Sequence, residues 1–229
     1  MTDQARASFE SLVNQIAHDV RNHAFTMGLQ AEMGERRCAA LPEIRAHFEA
    51  ILHQVDALGR YLDALLLFGR PVKLVPATVD PVALVQDQVR RFQFVQEPGV
   101  VIDILIETAG LSRQASWDAS ALGHAVRALL DNALHSATPA PETVVSVRSE
   151  EDHVAIEVRD AGPGIPPEVL PKLSVPMTVR RAGSPGLGLA IARKMAEAHG
   201  GRLEIESSSR GTIARLVLPW EPPAPGCDP

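Results

Sequence analysis

The sequence predicts an α+β protein in which an N-terminal antiparallel helical hairpin precedes an α/β sandwich with a mixed sheet. The hairpin is predicted by apolar residues that recur every three or four positions over residues 9–31 and again over residues 44–65, with Leu41-Pro42 between them. The sandwich is predicted by the residues after Gly69-Arg70-Pro71, where stretches of alternating apolar residues are interleaved with amphipathic helical stretches. Proline cannot continue the second helix, so we place the domain boundary after residue 70.

The two helices of the hairpin each carry an apolar seam along one face. The first seam consists of Phe9, Val13, Ile16, Val20, Ala24, Met27 and Ala31. The second consists of Ile44, Phe48, Ile51, Val55, Leu58, Leu62 and Leu65. Gly34 and then Leu41-Pro42 are expected to end the first helix. A lone hairpin leaves both seams half covered, so residues 1–70 are predicted to form a four-helix bundle in a homodimer.

Residues 71–220 are predicted to form the sandwich. Helices are expected over residues 81–96, 118–137 and 187–199, and strands over residues 100–107, 143–149, 153–160, 202–207 and 212–218. A glycine-rich loop precedes the last helix. Residues 221–229 are expected to be a frayed, proline-rich tail.

Charge and composition exclude several functional classes. The 229 residues carry 22 basic and 28 acidic side chains, a net charge of −6, which argues against a nucleic-acid-binding or membrane-surface protein. The longest purely apolar stretch, residues 64–68, is far too short for a membrane span, and residues 1–10 lack a hydrophobic signal segment. Cys38 and Cys227 lie in no metal-ligand spacing. We therefore expect a cytoplasmic protein without a membrane span.

One polar cluster lies on the solvent side of the first helix. With Val13 and Val20 as core positions of a heptad, His18 falls at the position most exposed to solvent. Asp19 is its neighbour, and Asn22 lies four residues on, within reach on the same helix face. A surface histidine of this kind is either an ordinary solvated side chain or a nucleophile with a carboxylate that handles its ring proton.

Three further motifs lie in the sandwich. Asn132 stands in an amphipathic helix, where asparagine is a mediocre helix former. Asp160-Ala161-Gly162-Pro163-Gly164 ends an alternating strand, where a carboxylate can accept a hydrogen bond from an exocyclic amine and the glycines let the backbone approach a ligand. Gly186-Leu187-Gly188-Leu189 opens a helix, whose free N–H groups attract phosphate. Each motif alone is compatible with an ordinary turn or surface residue, but the three in this order form a much stronger signal.

Together these residues resemble a bacterial two-component sensor histidine kinase, over about residues 9–218. His18-Asp19-Val20-Arg21-Asn22 is similar to the histidine box of that family, and Asn132 falls in its asparagine box. Asp160 to Gly164 and Gly186 to Leu189 resemble its two glycine boxes, and His199-Gly200-Gly201 resembles its usual ending. The sequence departs from the family at Ala128, where many members carry a second asparagine.

The resemblance implies a division of labour between the two domains. Residues 1–70 would be the dimerisation and histidine-phosphotransfer hairpin, and residues 71–220 an ATP-binding domain of the kind shared with Hsp90, gyrase and MutL. Asn132 would hold Mg²⁺ and Asp160 would contact the adenine of ATP. The lid around the phosphates would be shaped by Gly162, Gly164, Gly186, Leu187 and Gly188. Arg180 and Arg181 are either solvated loop charges or cationic contacts to the phosphates.

The function implied by the resemblance is ATP-dependent phosphorylation of His18, with Asp19 handling the imidazole proton. The phosphoryl group would then pass to an aspartate on the receiver domain of a response regulator. The histidine motif begins within the first twenty residues, so either a separate sensor protein supplies the signal or the chain is a fragment of a longer protein.

Two alternatives remain open on the sequence. The first is a phosphotransferase or response-regulator phosphatase with a decayed nucleotide site, in which Asn22 orients a water molecule; the intact Asp160, Gly162 and Gly164 argue against complete decay. The second is a dimeric scaffold that binds ATP only to change shape, which would not need the His18-Asp19 pair.

Overall fold

The computed structural model of the chain describes residues 3–38, 41–95, 102–106, 113–136, 142–173 and 186–222. They form two compact units that divide between Pro71 and Val72. We refer to them as the hairpin unit and the sandwich unit. None of the helices in these described ranges is long and apolar enough to cross a membrane.

The hairpin unit consists of two long helices, α1 (Asp3–Arg37) and α2 (Pro42–Gly69). The prediction that Gly34 interrupts the first helix is wrong, because α1 continues through it. A Cβ at position 34 would collide with the ring of Phe48 on α2, so the close packing that glycine permits offsets its low helix propensity. Proline at the first position of α2 lacks an N–H that would have no partner within the helix.

Small side chains form much of the α1 surface that contacts α2. Between residues 14 and 37, where the structure describes the side chains of α1, the buried residues are Ala17, Ala24, Gly28 and Ala31. Ala17 packs in one cluster with Leu62 and Leu66 of α2, and Val20 and Leu58 pack against this cluster. Residues without long side chains let two helices approach closely, so the larger apolar residues of α1 lie beside this contact.

Among the seam residues whose side chains the structure describes, four remain largely exposed within the hairpin unit. Ile16 and Met27 on α1 are 53% and 49% exposed, and Ile44 and Ile51 on α2 are 40% and 45% exposed. Within residues 14–69, these four residues form the exposed part of the two seams.

The sandwich unit contains seven described strands in two sheets. The strands are β1 (Ala77–Val79), β2 (Ile102–Ile106), β3 (Ala115–Trp117), β4 (Thr143–Ser149), β5 (His153–Asp160), β6 (Arg202–Ser208) and β7 (Gly211–Pro219). The larger sheet has the order β2-β4-β5-β7-β6. Its β2–β4 pair is parallel and its other pairs are antiparallel, which confirms the predicted mixed sheet.

The described helices of the sandwich unit are α3 (Pro81–Val95), α4 (Ala119–Leu134) and α5 (Gly188–Ala198), with a short 3-10 turn at Leu170–Lys172. Asp118 caps α4, because its carboxylate accepts the N–H groups of Ser120 and Ala121. The prediction that this helix reaches residue 137 is wrong, since it ends at Leu134.

The core of the sandwich unit follows the alternation of its strands. Val154, Ile156 and Val158 of β5, with Leu216 and Leu218 of β7, are buried on one face of the sheet. The alternating positions place Glu157 and Arg215 on the other face, where they are register partners. Asp160, the last residue of β5, follows the same alternation and lies on the core face.

Two elements of the sandwich unit were not predicted. β1 pairs with β3 in a separate antiparallel sheet, and each strand has only three residues.

The predicted proline-rich tail lies outside the described residues beyond position 222. The last buried residue before it is Trp220, whose carbonyl accepts the N–H of Ser116 at 2.8 Å.

Candidate functional site

His18 lies on the outer surface of α1, as its heptad position predicts, with 64% of its side chain exposed. Its Nδ1 is 3.3 Å from Oδ1 of Asp19 and 3.3 Å from Nδ2 of Asn22. Nδ1 can donate to Asp19 only when it carries the ring proton, and it can accept from Asn22 only when it does not. The two neighbours therefore select opposite tautomers of the imidazole.

The carboxylate beside His18 is held in its ionised form. Hydrogen bonds from His18 and from Gln15 lower the pKa of Asp19, the contact with His18 being the larger cause. Nε2 of Gln15 donates to Oδ1 of Asp19 at 3.1 Å. When Nδ1 of His18 also donates to Asp19, the lone pair lies on Nε2, which makes Nε2 the nucleophilic nitrogen.

In the sandwich unit, Asp160 is almost completely buried at the end of β5, with 3% exposure. Its Oδ1 accepts the N–H of Gly162 at 2.8 Å and the hydroxyl of Ser136 at 3.4 Å. Ser136 was not singled out by the sequence, because its relevance depends on the return of β5 to the end of α4. These contacts fix the carboxylate at the strand end predicted for it.

The positions of Gly162 and Gly164 leave no room for a side chain. A Cβ at Gly162 would collide with the hydroxyl of Ser136 and approach Oδ1 of Asp160 to 2.7 Å. Gly164 has a φ of +77°, which a side chain disfavours, and a Cβ there would collide with the carbonyl of Ser208. The motif thus permits a tight turn that packs against the β6–β7 connection.

Two hydroxyl groups beside Asp160 were also missed by the sequence reasoning. Thr212 of β7 is the register partner of Asp160 and is 3% exposed. Its Oγ1 is 3.0 Å from Oγ of Ser207, which also accepts the N–H of Ile165 at 2.8 Å. Glu and Asp motifs are visible in a sequence, whereas a strand threonine is ordinary until the register is known.

Asn132 lies on the α4 face that joins these features. Ala128, Asn132 and Ser136 are spaced four residues apart and share one side of the helix and its final turn. Ser136 contacts Asp160, and a Cβ at Gly188, the first residue of α5, would lie 3.7 Å from Cβ of Ala128. Asn132 therefore stands between the strand end at Asp160 and the start of α5.

The glycine motif at α5 is described from Gly186 onward. Leu187 is fully buried at the helix N-cap, and Gly186 has a φ of +68°. Gly188 is the first residue of α5. The N–H groups of the first turn of α5 have no partner within the helix, so they are suited to bind an anion. Arg180 and Arg181, the predicted cationic contacts, lie outside the described residues.

The described residues also bear on the predicted Mg²⁺ site. They contain no group of three or more His, Cys, Asp or Glu side chains able to hold a metal by themselves. A single amide oxygen at Asn132, half-buried near the α5 N-terminus, fits a Mg²⁺ ion that takes its other ligands from phosphate and water.

The chain resembles known proteins in both sequence and fold. Residues 117–222 match the family of histidine kinase-, DNA gyrase B- and HSP90-like ATPases. "Nitrogen regulation protein NtrY" of Azorhizobium caulinodans is 29% identical over 234 residues, covering 96% of this chain and 30% of that protein. "Sensory histidine kinase/phosphatase NtrB" of Vibrio alginolyticus is 25% identical over 221 residues, covering 91% of this chain and 61% of that protein. The chain is thus similar, over about nine tenths of its length, to proteins named as sensor histidine kinases.

A solved structure shares the fold of this chain. Full-length ShkA in complex with AMPPNP superposes with a TM-score of 0.75 at 19% identity, over 93% of this chain and 46% of that one. This chain spans less than two thirds of the length of NtrY and of NtrB. The match to an ATPase family supports ATP binding by the sandwich unit.

Proposed function

We propose that the chain is an ATP-dependent protein histidine kinase that phosphorylates itself on His18. One observation carries the proposal. An exposed imidazole donates or accepts at Nδ1 beside an ionised Asp19, on a helical hairpin that is joined to an ATPase unit. An ordinary surface histidine needs no such carboxylate.

The proposed nucleotide site uses the residues gathered around the α4 face. The carboxylate of Asp160 accepts a hydrogen bond from the exocyclic amine of adenine, and the amide oxygen of Asn132 binds Mg²⁺. The N–H groups at the start of α5 and the turn at Gly162 and Gly164 face the phosphates. Bound Mg²⁺ neutralises charge that develops on the transferring phosphoryl group.

In the proposed transfer, both the bond to phosphorus and the loss of a proton take place on the imidazole of His18. The lone pair of Nε2 attacks the γ-phosphorus, a nitrogen–phosphorus bond forms, and the bond from that phosphorus to the bridging oxygen breaks as ADP leaves. The imidazole then carries a positive charge, which Asp19 relieves by taking the Nδ1 proton. The product is a neutral-ring phosphoramidate. In the next step a carboxylate oxygen of an aspartate on a response-regulator receiver domain attacks its phosphorus, the nitrogen–phosphorus bond breaks, and His18 is released.

The proposed assembly is a homodimer whose four-helix bundle joins two hairpin units. Ile16, Met27, Ile44 and Ile51 are large, apolar and 40–53% exposed in one chain. A second hairpin covers such residues in a closed, symmetric arrangement.

A second activity, dephosphorylation of the response regulator, is favoured by one contact. Nδ2 of Asn22 lies 3.3 Å from Nδ1 of His18, so the amide lies beside the imidazole on the same face of α1 and can orient a water molecule. The relative NtrB is named as a kinase and phosphatase. We propose that this chain has both activities.

Labelling with radioactive ATP and magnesium tests the kinase proposal. The protein should acquire label that is stable to base and labile to acid, and His18→Gln should abolish the label without changing ATP affinity. The matched control is His23→Gln, which alters an exposed histidine of the same helix and should retain the label. Label that persists in His18→Gln contradicts the assignment, and unlabelled wild type with demonstrated ATP binding favours the scaffold alternative.

Light scattering tests the dimer. Ile51→Glu should give monomers, whereas His53→Glu, an exposed position outside the seam, should remain dimeric. Leu58→Glu is the poorer test, because Leu58 packs against Ala17 and Leu62 within one chain. A monomeric wild type at about 10 μM, a concentration above the Kd of a stable interface, contradicts the proposed assembly.

A further inference from the structure

His199, the residue that ends α5, is completely buried and has defined partners at both ring nitrogens. Nδ1 lies 2.7 Å from the carbonyl oxygen of Met195, which can only accept, so Nδ1 carries the ring proton. Nε2 therefore presents a lone pair, and it accepts the backbone N–H of Asp118 at 3.1 Å. Burial lowers the pKa of His199, which keeps the ring neutral and this tautomer available.

Asp118 extends this pair of hydrogen bonds into the next helix. Its Oδ1 accepts the N–H groups of Ser120 and Ala121, both at 3.0 Å, in the first turn of α4. Its Oδ2 accepts the N–H of Val75 at 2.9 Å. A continuous chain of hydrogen bonds thus runs from the last turn of α5, through His199 and Asp118, into the first turn of α4.

These hydrogen bonds lie at the end of the α4–α5 pair that is opposite the proposed nucleotide site. The start of α4 meets the end of α5 at His199, and Gly188 at the start of α5 meets Ala128 farther along α4, so the two helices run antiparallel. Asn132 lies fourteen residues beyond Asp118, which corresponds to about 21 Å of helix. The distance rules out direct contact between His199 and a nucleotide held near Asn132.

Apolar packing and hydrogen bonding define the arrangement of α4 and α5 in different ways. Both helices bury small residues, among them Ala121, Ala125, Ala190 and Ala196, and larger ones such as Leu122, Leu129 and Met195. Apolar contact attracts the helices without a preferred direction. The hydrogen bond from the N–H of Asp118 to Nε2 of His199 is directional, so it is satisfied in one register only.

We propose that His199 is a positioning residue for the nucleotide site, because its Nε2 locks the register of α5 against α4 and so holds Gly186-Leu187-Gly188 opposite Asn132. The proposal rests on the ATP site described under the proposed function. A slip of α5 along α4 would displace the phosphate-binding N–H groups from the residue proposed to hold Mg²⁺.

Two substitutions at His199 and one control test this role. His199→Phe keeps a ring but removes both nitrogens, whereas His199→Gln keeps an oxygen acceptor that can reach the N–H of Asp118. Val217→Ala is the control, because it removes packing on the sheet face that carries Arg215, away from the core side chains Leu216 and Leu218. The measurements are the calorimetric Kd for ATP with magnesium, the melting temperature, and the hydrogen-exchange rate of the Asp118 amide without nucleotide.

His199→Phe should raise the Kd for ATP by about tenfold, which corresponds to about 1.4 kcal/mol, and should speed exchange at Asp118. His199→Gln should keep both values near those of the wild type, and Val217→Ala should lower the melting temperature while leaving the Kd unchanged. The role is disproved if His199→Phe binds ATP like the wild type, or if Val217→Ala weakens binding equally at the same loss of melting temperature. If the wild type does not bind ATP, the proposed nucleotide site is rejected instead. The role of His199 in fixing the register of the helices can still be tested in that case, because an unchanged hydrogen-exchange rate of the Asp118 amide in His199→Phe would reject it.

Discussion

Replacing Asp160 with asparagine tests the proposed adenine contact with little disturbance of the fold. Both hydrogen bonds described for the carboxylate, from Gly162 and from Ser136, go to Oδ1. The amide oxygen of asparagine can accept both of them, so the turn after β5 should persist. The amide nitrogen then replaces the other carboxylate oxygen, and a donor stands where the proposal requires an acceptor.

The expected loss follows from the hydrogen bond that is exchanged. A hydrogen bond to a charged group contributes roughly 1.5–3 kcal/mol, so the Kd for ATP should rise by about 10- to 100-fold. Guanine has a carbonyl where adenine has its amine, and the new amide nitrogen can donate to it. The Asp160→Asn substitution should therefore also reduce the preference of the protein for ATP over GTP.

Calorimetry with ATP and GTP, each with magnesium, measures both effects. Glu157→Gln is the matched control, because it makes the same carboxylate-to-amide change in β5 at a buried position on the opposite face of the sheet. This control should leave both nucleotide affinities unchanged. An ATP-to-GTP ratio that is the same in Asp160→Asn, Glu157→Gln and the wild type would refute the assignment of Asp160 to adenine.

Three further predictions concern stability. Gly164→Ala should lower the free energy of unfolding by about 1–3 kcal/mol in urea titration, because the residue has a φ of +77° and a Cβ would meet Ser208; an unchanged midpoint would contradict this. Glu157→Gln should cost about 2 kcal/mol, since Arg215 donates to it at 2.9 and 3.1 Å and loses a charged acceptor. Burial lowers the pKa of His199 from 6.5, so the unfolded chain binds the extra proton and stability should fall as pH drops below about 6.5; His199→Gln should lack this phase in thermal denaturation.

The elements with strong periodicity were predictable from the sequence. Residues 143–149 and 153–160 alternate clearly, and the strands β4 and β5 have these same bounds. The three-residue strands β1 and β3 were missed because so short a run carries no measurable alternation. Gly34 was misread because the ring of Phe48, which makes glycine necessary there, comes from another helix.

The chemistry of the candidate site was predictable only where a motif carries it. Asp160 and Asn132 stand out by residue type and context, whereas Ser136 and Thr212 become relevant only through the fold. Ser136 donates a hydrogen bond to Asp160 because β5 returns to the end of α4. Thr212 lies beside Asp160 because the two are register partners in β7 and β5. Spatial proximity of this kind has no local signal in one sequence.

The division of small and large apolar residues on α1 gives an estimate of how strongly two chains should associate. Between residues 14 and 37 its buried residues are Ala17, Ala24, Gly28 and Ala31, and Ile16 and Met27 stay about half exposed, as do Ile44 and Ile51 on α2. Full burial of such a side chain contributes about 1.5–3 kcal/mol, and burying the exposed half of four of them in each chain gives roughly 6–12 kcal/mol for a symmetric pair. Association itself costs at least about 4 kcal/mol, so these four residues alone leave a surplus of roughly 2–8 kcal/mol, to which the partly buried Phe48 and Val55 can add. Ile51→Glu removes about 1.5–3 kcal/mol of this burial from the pair and leaves two carboxylates in the interface, whose desolvation costs several kcal/mol more. The total loss is comparable to the whole surplus, which is why the substitution should abolish the dimer and not only weaken it.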